Sequence, residues 1–242
     1  MPELSIVVPC FNEADNLPAV LAELNSVCVE SNLDVEVLIS DDASEDLTLD
    51  TAQALHRKYP DLRVRVLHRY PPRRGYGAVV RYGLAHATGR FAAVVAADGE
   101  NPVELLPEML RQARAGAQLV QCSRYSAAGD DTDVPGVFRF YQRVYRVLVR
   151  AFLGHTLPDS TYGFKLFDRV LALALGTGAN RFNLCPEITF KMLLAGGKVV
   201  FVRGRRRART LGTSKFKLHR ELDGFLLVLL RASLHRIGLA WF

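Results

Sequence analysis

The stretch Leu4-Ser5-Ile6-Val7-Val8-Pro9 decides the fold, because it is a short β-branched apolar run that stops at a proline. A segment with apolar side chains at helical spacing, Asn16–Val29, comes next. The same strand-then-helix pattern recurs in Val35–Ile39 with Leu47–Tyr59, in Val64–Leu67 with Ala78–Ala87, and in Phe91–Ala96 with Val103–Ala115. Four such units predict an α/β fold with a mostly parallel sheet flanked by helices. Ligands of such sheets bind beyond the carboxyl ends of the strands, so the residues after each strand are the first candidates for a site.

The alternation weakens after a further strand at Leu119–Ser123. An arginine-rich helix, a loop around Pro158–Phe164, a helix at Glu187–Ala195 and a strand at Lys198–Val202 are predicted next. No clean linker or internal repeat interrupts this order. The second half is therefore interpreted as an elaboration of one domain.

Composition limits the class of protein. With 242 residues, 49% of them hydrophobic, the chain is long enough for one sizeable domain core. The net charge of +6 favours an anionic partner such as a nucleotide, a phospholipid or a nucleic acid. Four widely separated cysteines argue against a disulfide framework and a zinc site, and fit a reducing cytosol. The start of the chain lacks the pattern of a secretory signal, so we expect no signal peptide.

Polar residues follow the first, second and fourth strands. The first runs into Pro9-Cys10-Phe11-Asn12-Glu13, and the second into Asp41-Asp42-Ala43-Ser44-Glu45-Asp46. An aromatic ring can stack on a base and a carboxylate can accept from a base or a ribose, although Asp41, Ser44 and Asp46 could equally form a turn and cap the next helix. After the fourth strand, Asp98-Gly99-Glu100 offers two carboxylates suited to Mg²⁺ or Mn²⁺, with helix capping by Asp98 as the alternative.

Taken together, these strand ends resemble the GT-A glycosyltransferases of family 2, and most closely their polyprenyl-phosphate branch, typified by the dolichyl-phosphate mannose synthases. The resemblance covers nearly the whole chain. It continues in the segments Arg74–Ala78, Cys122–Tyr125, Asp159–Lys165 and Arg209–Lys215. It implies a GT-A domain over residues 1–217, with a nucleotide-sugar half at 1–123 and an acceptor half at 124–217.

The resemblance also implies roles for individual residues. Nucleotide binding is expected at Pro9, Phe11, Glu13, Asp42, Arg74, Gly77, Arg209, Ser214 and Lys215, and metal binding at Asp98 and Glu100. The family's usual D-x-D becomes Ala96-Ala97-Asp98 here, so the first carboxylate is absent and Glu100 is expected to restore the charge. The donor would be a GDP- or UDP-sugar and the cofactor Mg²⁺ or Mn²⁺.

The arginine-rich helix Val137–Leu153 places Arg139, Arg143, Arg146 and Arg150 on one face with apolar residues between them. This pattern favours a helix at an anionic membrane surface, and the alternative is a solvated arginine face. The C-terminal segment 218–242 is apolar but interrupted by charges, so it is expected to lie in the membrane interface, dock on a membrane-anchoring partner, or pack on its own domain. We predict a peripheral protein at the cytoplasmic face of a membrane.

A lipid-phosphate acceptor would be anionic near neutral pH and would need no strong base. Its expected contacts are Arg124, Arg146 and Lys165, and the catalytic candidates are Asp98, Lys165, Arg124 and Asp159. A hydroxyl acceptor would instead require Asp159 or Glu187 as base, and a nucleotide-binding protein with a decayed metal site is a third interpretation. The basic stretch Arg203–Arg220 lacks a recognition motif or an aromatic platform, so no nucleic-acid partner is predicted.

Overall fold

The computed structural model describes residues 1–70, 74–125, 136–209, 211–212 and 215–242. These residues form one sheet and a set of flanking helices. The strands are β1 (Leu4–Cys10), β2 (Val35–Asp41), β3 (Arg65–His68), β4 (Phe91–Val94), β5 (Leu119–Ser123), β6 (Lys165–Asp168) and β7 (Val199–Arg203). The α-helices are α1 (Leu17–Glu30), α2 (Thr48–Lys58), α3 (Tyr76–His86), α4 (Leu106–Arg114), α5 (Gly136–Leu153), α6 (Arg169–Leu175), α7 (Leu184–Leu194) and α8 (Leu218–Arg236).

The sheet has the order β3-β2-β1-β4-β6-β5-β7. β1 pairs in parallel with β2 and β4, β2 with β3, and β5 with β7, whereas β6 runs antiparallel to both β4 and β5. The prediction of a mostly parallel α/β sheet is confirmed. β6 and α6 were not predicted, and β6 begins inside the motif whose first part was interpreted as a loop.

Helices cover both faces of the sheet. All seven residues of β1 and of β2 are buried, as expected for strands that lie between two helical layers. One core cluster joins β1 side chains such as Ile6 and Val8 to Leu21 of α1 and Met109 of α4. A second cluster joins Val7 to α3, α6 and α7 on the opposite face. The carboxyl ends of β1, β2 and β4 remain uncovered by either layer.

A third core cluster lies beside the sheet and is formed by α5, α7 and α8. It includes Tyr145 and Val149 of α5, Phe190 of α7, and Phe225 and Leu229 of α8. Thus α8 buries one face against the rest of the chain. Its boundary at Leu218 matches the predicted start of the C-terminal segment, and the division into a domain and an interfacial helix stays a prediction. Over the described residues, the structure contains no helix with the length and apolarity needed to span a membrane.

Candidate active site

A cavity of about 790 Å³ opens at the carboxyl ends of β1, β2 and β4, within the usual size range of ligand sites. The strand ends form its floor, and side chains from α5, α8 and the stretch after β7 form its walls. Of the predicted site residues, the cavity is lined by Pro9, Phe11, Glu13, Asp42, Arg74, Asp98, Glu100, Arg124, Arg209 and Lys215. Gly77, Arg146, Asp159 and Lys165 are not part of this lining, and Ser214 lies outside the described residues.

At the first strand end, the ring of Phe11 lies between two cations. The guanidinium of Arg74 is 4.5 Å from the ring centroid, and the ammonium of Lys215 is 5.4 Å from it. The buried carboxylate of Asp42 accepts hydrogen bonds from Arg69 and from the backbone N–H of Gly75, the latter at 2.7 Å. A flat ring and a fixed carboxylate on neighbouring strand ends form a surface suited to a nucleoside.

The sequence left open whether the acidic residues after β2 contact a ligand or form a turn before α2, and the structure shows both arrangements. Asp41 accepts from the backbone N–H of Ser44 at 3.1 Å, and Asp46 accepts from that of Thr48 at 2.9 Å. These two carboxylates therefore serve the turn and the start of α2, whereas Asp42 lines the cavity.

Glu13 forms ion pairs with two basic residues of the stretch that follows β7, Arg209 and Lys215. Its carboxylate accepts from Asn16 at 2.7 Å, from Arg209 at 2.8 Å and from Lys215 at 2.7 Å, and the residue is only 7% exposed. Glu13 therefore binds the two cations that were expected to contact the diphosphate. The sequence suggested that Glu13 itself binds the nucleotide.

After β4, Asp98 and Glu100 lie on one turn at the cavity. Burial, and then the nearby charge of Glu100, raise the pKa of Asp98 to about 6. One oxygen of Asp98 accepts the backbone N–H of Glu100 at 3.1 Å, and the carboxylate of Glu100 forms a two-pronged ion pair with Arg206 at 2.5 and 2.7 Å. Neither carboxylate caps the helix that follows, because its first short turn shows no side-chain cap.

These two carboxylates fit one hard divalent cation that also takes oxygens from a substrate. Mg²⁺ is commonly held by one or two carboxylates together with phosphate oxygens and waters. Over the described ranges, no cluster of three or more acidic, histidine or cysteine side chains suited to a metal is found. The raised pKa of Asp98 marks a position at which added positive charge would relieve repulsion.

Another cation of the cavity lining, Arg124, is held by Asp159. The guanidinium Nε lies 2.8 Å from Asp159 Oδ2, and Nη2 lies 3.2 Å from Oδ1. Asp159 is fully buried, and although burial acts to raise its pKa, the charge and hydrogen bonds of Arg124 hold that pKa below its ordinary value. Arg124 also stacks on Tyr162, 4.5 Å from the ring centroid. Asp159 therefore positions Arg124 and does not itself face the cavity.

Lys165 lies beneath this pair and differs from its expected role. Its side chain is 1% exposed, and Nζ donates to Gln121 Oε1 at 2.5 Å and to Thr189 Oγ1 at 2.7 Å. Burial lowers the pKa of Lys165 to about 8. The direct contact with an acceptor that the sequence suggested is corrected here, because the amine is enclosed by protein groups. Arg146 likewise lies outside the cavity lining, with its guanidinium 5.4 Å from the ring centroid of Tyr125.

The glycine-containing segment Arg74–Gly77 serves backbone packing. A Cβ on Gly77 would come 2.3 Å from the carbonyl oxygen of Ala179, and one on Gly75 would come 2.3 Å from that of Asn180. These two glycines thus allow a close approach between the start of α3 and the 178–181 segment, and nucleotide binding by Gly77 stays a prediction. Gly178 and Ala179 in turn donate their N–H groups to Glu187, which is 2% exposed.

Six aromatic side chains from distant parts of the chain also line the cavity, and no local sequence pattern predicts them as a group. We define the aromatic chamber by the residues Phe138, Tyr141, Tyr145, Phe182, Phe216 and Phe225. It lies between the first halves of α5 and α8, where the hydroxyl of Tyr145 donates to the carbonyl oxygen of Phe225 at 3.2 Å. Arg206, from the basic stretch Arg203–Arg220, also lines the cavity. Arg181 lines it as well and was not predicted, because its neighbours in space are distant along the chain.

Comparison with known proteins places this geometry in a family. Residues 5–176 match the model of glycosyl transferase family 2. The chain is 30% identical over 217 residues to a dolichol-phosphate mannosyltransferase of Pyrococcus furiosus, covering 89% of this chain and 59% of that protein. It is also 30% identical over 216 residues to a polyprenol monophosphomannose synthase of Mycolicibacterium smegmatis, covering 87% of this chain and 79% of that protein.

Solved structures show the same fold. A glucosyl-3-phosphoglycerate synthase from Mycobacterium tuberculosis, in complex with Mn²⁺, UDP and phosphoglyceric acid, superposes with a TM-score of 0.68 at 21% identity, covering 98% of this chain and 79% of that one. The same synthase in complex with Mg²⁺ and UDP superposes with a TM-score of 0.66. The family model covers residues 5–176, well over half of the 242-residue chain, and the chain therefore belongs to glycosyl transferase family 2.

Proposed function

We propose that this chain transfers a sugar from a nucleoside-diphosphate sugar, GDP- or UDP-linked, to a polyprenyl phosphate at a membrane surface. The observation that carries the proposal is the continuity of the cavity. One space is lined by Phe11, Asp42 and Asp98, by Arg124, and by the aromatic chamber. A molecule with a phosphate head and an apolar tail has matching surfaces in Arg124 and in the aromatic chamber.

The donor end would bind the nucleotide through groups of both signs. Phe11 would stack on the base and Asp42 would accept from the base or the ribose. Arg209 and Lys215 would contact the diphosphate, as the sequence also suggests for Ser214, which lies outside the described residues. Asp98 would hold Mg²⁺ or Mn²⁺ directly, and Glu100 would join it once released from Arg206. The bound cation would supply positive charge to the departing diphosphate.

The acceptor side lacks a free base among the residues considered for that role. Asp159 is buried against Arg124, and Glu187 is engaged by the N–H groups of Gly178 and Ala179. A hydroxyl acceptor needs a base to take its proton, whereas a phosphate monoester is already anionic at neutral pH. This arrangement favours a phosphate acceptor over a hydroxyl acceptor.

The chemistry then reduces to alignment and charge. A phosphate oxygen attacks the anomeric carbon, the bond from that carbon to the donor's diphosphate breaks, and the single displacement inverts the anomeric centre. Arg124 offsets the negative charge of the acceptor, and Asp159 keeps Arg124 in place. The buried ion pair thus acts by fixing the geometry of the attacking group.

The outer faces of α5 and α8 support a membrane location. On α5, Val137, Phe140, Val144 and Val147 follow helical spacing and are at least 42% exposed. On α8, Leu226, Leu227 and Leu230 are each at least 50% exposed. The α5 arginines border the apolar stripe, which is the composition of a helix lying in an anionic interface. We place the chain as a peripheral protein on the cytoplasmic face, where its four free cysteines would stay reduced.

The test is a transfer assay with purified protein and Mn²⁺. Donor arms are GDP-mannose and UDP-glucose, and acceptor arms are a short polyprenyl phosphate, the matching unphosphorylated polyprenol and 3-phosphoglycerate. We expect glycosylated lipid phosphate only in the first acceptor arm. Equal transfer to the polyprenol would support a hydroxyl acceptor, and transfer to 3-phosphoglycerate alone would support a soluble phosphate acceptor. Nucleotide binding by calorimetry without turnover in any arm would indicate a nucleotide-binding protein.

A further inference from the structure

Arg209 lies between two carboxylates of the donor end. Its Nη2 donates to the two oxygens of Glu13 at 3.0 and 2.8 Å, and its Nη1 lies 3.6 Å from Asp98 Oδ2. The Arg209 side chain is only 12% exposed. A monovalent cation is therefore held, largely out of water, beside the carboxylate that is the best candidate ligand for a divalent cation.

In the chain without donor, the charges around the Asp98–Glu100 turn explain why Arg209 lies beside Asp98. Glu100 is already neutralised by Arg206, and position 96 carries an alanine, so Asp98 and Glu13 are the carboxylates left for Arg209. A divalent ion at Asp98 would lie within a few ångströms of the guanidinium, and two like charges at that distance repel strongly in a site with little water. The guanidinium and the divalent ion therefore compete unless a diphosphate is present to receive both.

We propose that Arg209 is an exchangeable cation of the donor site. Without donor, it neutralises Asp98 together with Glu13; when donor and divalent ion bind, it leaves Asp98 for the diphosphate, whose negative charge accommodates both cations. The inference rests on the donor half of the proposed function and is independent of the acceptor. It follows that the divalent ion binds weakly alone and more tightly together with nucleotide.

The experiment is a titration of free Mn²⁺ followed by electron paramagnetic resonance, on the full chain without acceptor. Arg209→Gln removes the charge while keeping a polar side chain. It should bind Mn²⁺ about two- to tenfold more tightly than wild type in the absence of nucleotide, as expected for the loss of a partly buried charge contact. The matched control is Arg207→Gln, since Arg207 pairs with Glu23 and Glu104 outside the metal turn, and its affinity should equal that of wild type.

Repeating the titration with UDP or GDP separates exchange from simple repulsion. Wild type should gain Mn²⁺ affinity with one of the two nucleotides, and Arg209→Gln should gain less, because its diphosphate contact is missing. Unchanged or weaker Mn²⁺ binding by a folded Arg209→Gln variant, checked by circular dichroism, overturns the proposal. So does a wild-type chain that binds Mn²⁺ equally with and without nucleotide, a result that needs no variant. Failure of lipid-phosphate transfer would leave both readouts unaffected.

Discussion

Asp98 shows how a residue can serve function at a cost to stability. Burial and the charge of Glu100 raise the pKa of Asp98 to about 6 in the folded chain. The ordinary pKa of an aspartate side chain, which applies to the unfolded chain, is 3.8. The folded state therefore holds the proton more tightly than the unfolded state, and the stability linked to this group is lost as the pH rises from the lower value through the upper one. Near neutral pH the Asp98 carboxylate is mostly ionised, although burial and Glu100 favour its protonated form. The ionised form is the one that could bind a divalent cation.

Asp98→Asn should consequently stabilise the fold while removing metal-dependent donor binding. The amide oxygen can still accept the N–H of Glu100, and the cost of charge is gone. We expect the free energy of unfolding in urea to rise by ~1–3 kcal/mol at about pH 7.5 and the gain to shrink at about pH 4.5. Exposed Asp15→Asn is the control and should change little at either pH. A variant less stable than wild type at the higher pH would contradict this account of Asp98.

Single side chains also mark the limit of prediction from the sequence. Phe11, Asp42 and Asp98 were predicted at the site because each directly follows a strand of a parallel sheet. Lys165 was expected to contact the acceptor, and the sequence could not show its burial, because that burial depends on Gln121 and Thr189, which are 44 and 24 residues away. Local sequence patterns predict where strands end, but they do not show which groups from distant parts of the chain enclose a charged side chain.

At the scale of elements, the strands predicted correctly are those that alternate with helices. β6 was missed because it has four residues, starts with a buried lysine and finds its partners β4 and β5 only in three dimensions. Arg74 and Gly77, at the start of α3, were expected to bind the nucleotide, and that expectation stays a prediction. In the structure Gly75 and Gly77 allow the backbone of α3 to approach the 178–181 segment, which Glu187 anchors.

Gly77→Ala should therefore destabilise the packing of α3 rather than only weaken nucleotide binding. The added methyl group would meet backbone atoms of Ala179, Asn180 and Arg181 at 2.3 to 2.9 Å, and backbone cannot move aside as a side chain can. We expect a loss of ~1–3 kcal/mol in unfolding free energy, measured by urea denaturation. Gly178→Ala is the matched control, because its nearest neighbour is a Glu187 oxygen at 3.9 Å. Equal stability of the two variants would contradict this packing role of Gly77.

At the scale of the whole molecule, the chain combines a covered sheet with an uncovered helical edge. The first two core clusters enclose the sheet, whereas the third leaves large apolar side chains of α5 and α8 in solvent. The two helices run side by side in one direction, since Tyr145 contacts Phe225 and Arg236 donates to the carbonyl oxygen of Phe152 at 2.9 Å. The aromatic chamber lies between their first halves, so a lipid tail that enters it could extend along the exposed apolar side chains of the two helices.

This arrangement predicts binding to vesicles through α5. Wild type should co-sediment with vesicles containing anionic lipid, and binding should fall at higher salt, because charges of exposed arginines are screened beyond about 8–10 Å at physiological ionic strength. Val147→Glu places a carboxylate on the apolar stripe, where Val147 is 66% exposed, and should weaken binding without a loss of thermal stability. Leu47→Glu is the matched control, because Leu47 is 67% exposed but precedes α2, far from α5 in the chain. If both variants bind anionic vesicles as wild type does, α5 is not the contacting surface; if binding to neutral vesicles is equal, the arginines contribute nothing to it.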